Sequence, residues 1–118
     1  MPARRRTDPE VGLAAVARAR AATVPERADL RDAVRYLLEE LAARAPGRSV
    51  EVRVPPYAAV QVIPGVRHTR GTPPAVVETD AETWIALATG DLAWADALAT
   101  ARVSASGERT DLAPYLPL

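Results

Sequence analysis

Between Leu30 and Ala45 the apolar positions fall on one helical stripe. Leu30, Ala33, Val34, Leu37, Leu38, Leu41, Ala42 and Ala45 keep the i, i+3, i+4, i+7 spacing without a break. That spacing predicts a helix over 30–45, capped by Asp29 and stopped by Pro46-Gly47. Arg35 with Glu39, and Glu40 with Arg44, stand four apart on its polar face. A second helix is predicted over 8–22, with Asp8 as cap, Pro9 in the first turn and Glu10 at the positive end of the dipole. Its apolar residues are mostly alanine, and Thr23-Val-Pro25 interrupts it.

The period then changes to two. Val50, Val52 and Val54 alternate with Glu51 and Arg53, the pattern of a half-buried strand ended by Pro55-Pro56. Ala58, Val60 and Val62 share one face of a second strand, with Ala59, Gln61 and Ile63 on the other. With apolar residues on both faces, this strand is expected to be covered on both. Residues 64–74 form a long loop or loose hairpin, and a third strand runs from Ala75 to Glu78. Thr79-Asp-Ala-Glu82 has the form of a capping box before a short helix with Trp84, Ile85, Leu87 and Ala88, ending at Gly90. Asp91 is placed to cap a further short helix with Leu92, Trp94, Ala95 and Leu98. Arg102 to Ser106 is a last strand, and a tail from Asp111, broken by Pro114 and Pro117, carries Leu112, Tyr115 and Leu116. The fold class is α+β: a small, mostly antiparallel sheet with helices packed on it. Residues 1–7 are expected to be a flexible arm and 8–118 a single domain.

Composition narrows the chemistry. The chain of 118 residues has 25 alanines, no Phe, no Cys and one Met, Met1. Without Cys there are no disulfides, thiolate metal sites or thiol nucleophiles. A single histidine, His68, leaves no multi-histidine metal site within the chain. All fifteen basic residues are Arg, balanced by fifteen acids, so no broad attraction to nucleic acid is expected. No apolar run approaches the roughly 20 residues of a membrane span, and the first residues lack the apolar core of a secretory signal. The expected address is the cytoplasm.

Catalytic patterns do not emerge. Ser49, Ser104 and Ser106 sit at strand positions, none in a nucleophile elbow, and the six glycines are scattered singly. No catalytic residue, metal or cofactor is expected, and the chain is read as a non-enzyme. Arg67, His68 and Arg70 are either contacts for an anionic head group or a solvated loop. Trp84 and Trp94 either line a pocket or fill a core that lacks Phe. A pocket between sheet and C-terminal helices is expected to take Val60, Val62 and Val76 from the sheet. From the helices it takes Trp84, Leu87, Trp94 and Leu98, with Leu112, Tyr115 and Leu116 closing over it as a flap.

The segment from Ala75 to Leu118 resembles the sterol carrier protein type 2 family. The resemblance is carried by Thr79-Asp-Ala-Glu-Thr-Trp84, Leu87-Ala-Thr-Gly90-Asp-Leu92, Ala95 to Ala101, and Arg102-Val-Ser-Ala-Ser-Gly107-Glu108. The whole chain looks most like the actinobacterial sterol-carrier-like branch, through Leu37-Leu-Glu-Glu-Leu-Ala-Ala-Arg-Ala-Pro-Gly-Arg48 running into Val50-Glu-Val-Arg-Val-Pro-Pro56. The resemblance implies a tunnel between helices and sheet, and carriage of a lipid, fatty acid or sterol-like molecule without a cofactor. No nucleic acid, at most transient membrane contact, and a monomer or homodimer are expected. A similar module forms the C-terminal part of mycothiol-dependent maleylpyruvate isomerase relatives. The alternative is therefore a ligand-free interaction or accessory module of a thiol-dependent enzyme system.

Overall fold

The computed structural model describes residues 7–65, 75–107 and 110–118. Helix α1 spans Pro9–Ala21 and α2 spans Arg27–Arg44. Strands β1 (Val50–Val54) and β2 (Ala58–Val62) form an antiparallel hairpin, with Val52 opposite Val60. Strand β3 (Ala75–Thr79) lies parallel to β1 on its other side, and β4 (Val103–Ser106) pairs antiparallel with β3. The sheet order is β2-β1-β3-β4. Helices α3 (Ala81–Thr89) and α4 (Trp94–Ala99) fill the connection from β3 to β4. A 3-10 turn at Ala113–Tyr115 shapes the tail. The fold is α+β, its sheet mostly antiparallel with one parallel pair.

The register sorts the side chains into two faces. Val50, Val52, Val54, Val62, Val77 and Val103 are buried on one. Arg53, Ala59, Gln61, Glu78, Ser104 and Ser106 are exposed on the other. The helices all serve the first face: α2 lies against β2, α4 against β4, α3 packs on α2, and α1 packs on α2 and α3. The stripe read from the sequence makes this contact, with Leu38 and Leu41 fully buried.

The expected second cover of strand Ala58–Val62 is therefore wrong. Ile63, counted with Ala59 and Gln61 as its second apolar face, has left the strand. Its φ of 70° turns it into the core, where it is buried. It is held there by its own N–H bond to the Ala45 carbonyl (2.7 Å) and by Ser49 Oγ donating to the Ile63 carbonyl (2.7 Å). What remains on that face is Ala59 and Gln61, which tolerate water.

Three helix starts also differ in detail. Asp8 caps α1 by accepting from Glu10 N at 2.8 Å, as its position predicts. Helix α2 begins at Arg27, ahead of the expected Asp29 cap. Asp29 sits in its first turn and pairs with Arg18 of α1 at 3.0 Å. Asp80 caps α3 through Thr83, accepting from its N and Oγ1 at 2.8 Å each, so Thr83 and not Glu82 completes the cap. Helix α4 has Ala93 at its cap position and no side-chain cap; Asp91, expected to cap it, stands ahead of that position and is bound by Arg20. On the wet face of α2, Glu40 and Arg44 pair at 3.0 Å as spaced. Glu39 accepts from Thr7 Oγ1 at 2.9 Å and Thr7 N at 3.1 Å, while Arg35 donates to the Tyr57 carbonyl. Thr7, assigned above to the arm, is thus tied to α2.

Candidate functional site

At the β4 edge the apolar face is incompletely covered. Val60, Val52, Val77 and Ala105 form one row across the sheet, since each is the register partner of the next. The first three are valines, and the row ends on an alanine. Helix α4 overhangs that end. Trp94 and Ala97 turn inward and are buried, while Leu98 stays 42% exposed. The tail returns on the far side, where Asp111 Oδ1 accepts from Ala113 N at 3.0 Å. Between them runs an open groove of about 400 Å³, lined by Trp94, Ala95, Leu98, Ala105, Thr110, Asp111 and Ala113. Its volume falls within the roughly 300–1,000 Å³ of ligand sites, but it is a shallow groove open to solvent rather than an enclosed cavity.

Of the residues expected to bind ligand, this groove brings together Trp94 and Leu98. Val60 and Val62 lie on the same sheet face but at the opposite edge, on β2. Val76 is paired with Glu51 and belongs to the open, polar face, so it cannot join them. Trp84, Leu87 and Leu112 are fully buried in the main core. The Trp84 indole N–H is buried with no hydrogen-bond partner among the described residues. Tyr115 and Leu116 are half-buried against that core. The tail is fastened rather than hinged: Leu112 is a core residue, and Leu118 N donates to the Ala88 carbonyl at 2.9 Å. Arg67, His68 and Arg70 lie outside the described residues.

Reading the sequence missed Ala95, Ala105, Thr110, Asp111 and Ala113 as groove residues. Asp111 was visible only as the start of the tail. Ala105 carried a signal, a small apolar residue alternating with Ser104 and Ser106, but nothing showed that the helix above would leave it uncovered.

A second cleft of about 180 Å³ lies between α1, the α1–α2 connection and α3. Leu30, Ile85 and Ala19 are among its walls, with Arg20, Glu82 and Asp91. Arg20 closes bidentately on Asp91, at 2.9 and 2.8 Å. The Asp91 carboxyl is held below its ordinary value, first by its hydrogen bond from Arg20 and then by that cation's charge. Both partners are near half exposed, so the pair is a clasp rather than a buried charge site. Among the described residues no cluster of three His, Cys, Asp or Glu side chains is placed to hold a metal, and no helix is long and apolar enough to cross a membrane.

The architecture is thus a small α+β fold, an antiparallel-dominated sheet with the helices on one face and an open groove between α4 and β4. A family model described as bacterial SCP ortholog matches residues 26–118, and the chain belongs to that sterol-carrier-like family. No curated protein matches the sequence.

Proposed function

We propose that the protein binds a hydrophobic small molecule, such as a lipid, in the groove between α4 and β4, and acts as a carrier and not as an enzyme. The observation that carries this reading is the groove itself, an apolar floor left uncovered in a chain of the sterol-carrier-like family. An exposed apolar floor costs free energy in water, at about 25 cal/mol for each Å² left wet. A ligand chain laid on Ala105 and under Leu98 removes that cost, and affinity follows once ordering losses are met.

A neutral fluorescent probe, N-phenyl-1-naphthylamine, tests the reading. Its emission should rise on addition of protein, with an affinity in the micromolar range. Ala105→Leu builds a side chain into the groove floor at an exposed position and should weaken the probe at least about tenfold without lowering the thermal midpoint. A parent protein that leaves the probe dark at high micromolar concentration rules the reading out. The accessory-module alternative has one observation in its favour: Trp84, Leu87 and Leu112, expected to line a pocket, are fully buried in the core. It becomes the better reading if the probe fails.

A further inference from the structure

The groove's lining is chemically one-sided. Its aliphatic part, Ala95, Leu98, Ala105 and Ala113, suits an alkyl chain of any lipid. Among the described residues its polar part is Thr110 and Asp111, and the charged side chain of these is the Asp111 carboxylate. One oxygen of that carboxylate accepts from Ala113 N, which fixes the group at the groove's rim. Trp94 also lines the groove but is buried, so the carboxylate is the group that a ligand's head reaches at the rim. An anionic head group placed there meets a like charge, whereas a cationic one meets an opposite charge.

We propose that the groove selects single-chain amphiphiles with a cationic head group, a long-chain amine or quaternary ammonium, over fatty acids, with Asp111 holding the head. This rests on the reading of the groove as a ligand site, and it names the class of ligand for that site. It also differs from the anionic head group that Arg67, His68 and Arg70 suggest in the sequence. The cation's attraction and the anion's repulsion act at an exposed rim, so the preference is on the order of tenfold at low salt and shrinks as salt is added.

Displacement of N-phenyl-1-naphthylamine by three ligands of equal chain length tests it: dodecyltrimethylammonium, dodecanoate and the neutral octaethylene glycol monododecyl ether, all below micelle formation. The ammonium should displace the probe at about one-tenth the concentration that dodecanoate needs. Asp111→Asn keeps an oxygen to accept from Ala113 N but removes the charge, and the preference should fall below about twofold. Asp96→Asn, which removes a carboxylate of α4 that does not line the groove, should leave it intact. Equal displacement by dodecanoate, an unchanged preference in Asp111→Asn, or an equal loss in Asp96→Asn overturns the proposal. If the neutral ether also fails to displace the probe, the groove is not an amphiphile site, and the proposal falls together with the carrier reading.

Discussion

Ala101 holds a backbone conformation that suits glycine better. Its φ is 57°, in the left-handed region, and it closes α4 with two bonds. Ala101 N donates to the Leu98 carbonyl at 3.1 Å, and Arg102 N to the Ala97 carbonyl at 2.9 Å. The same task after α3 falls to Gly90, with φ 87°. An L-residue in this region costs about 1–2 kcal/mol, while a glycine adds about 0.4–1 kcal/mol of freedom to the unfolded chain. Ala101 is exposed, so its methyl returns little packing. Ala101→Gly should therefore stabilise the protein by about 0.5–1 kcal/mol, read as a higher urea midpoint at unchanged slope. A lower midpoint would mean that the methyl packs against something essential. Ile63 shares the positive φ but is buried, so the same substitution there removes a core side chain and the sign reverses.

Between elements, α1 is fastened at both ends. Gly12 lets it lie on the Tyr36 ring of α2, where an added Cβ would stand 2.3 Å from Tyr36 Cγ. Farther along α1, Arg18 reaches Asp29 of α2, and Arg20 reaches Asp91 beyond α3. The Asp91 carboxyl is held below its ordinary value by Arg20, so its contribution is present above the unfolded value of about 3.9 and is lost as pH falls through the folded one. Asp91→Asn should lower the thermal midpoint slightly at pH 7, and the gap to the parent should narrow as the pH is taken down below about 3.9. A gap that persists there would show that Asp91 acts through Thr89 or through shape, not through its charge. The elements themselves were legible where periodicity was strong, as in α2 and β1. The clasps were not, because a carboxylate beside a helix start serves equally as a cap or as an ion-pair partner. Asp29 and Asp91 both stand near a helix start without occupying its cap position, and both are taken by arginines that only the docking of α1 brings near.

At the scale of the molecule, the helices among the described residues pack on one sheet face, and Arg53, Ala59, Gln61, Glu78, Ser104 and Ser106 on the other are exposed. The alternation in β1 made the covered face legible. The groove was not, because it depends on how far α4 stands above Ala105, a distance that no residue pattern encodes. The expected pocket drew residues from both edges of the sheet, whereas the observed groove sits at the β4 edge alone. Helix α1 lies on α2 and α3 and precedes the stretch matched by the family model, residues 26–118. It buries small side chains, Ala15, Val16 and Ala19, and so supports the fold without lining the groove. Removing residues 1–25 should leave a chain that still unfolds cooperatively, with a thermal midpoint lower by about 5–15 °C, the shift that one to two kcal/mol produces at this size. N-phenyl-1-naphthylamine should bind the shortened chain within about twofold of the parent, because α4, β4 and the tail keep their own contacts. Loss of the cooperative transition would make α1 part of the folding core. A cooperative chain that no longer binds the probe would move the ligand site away from the β4 edge and toward the cleft that Arg20 and Asp91 close.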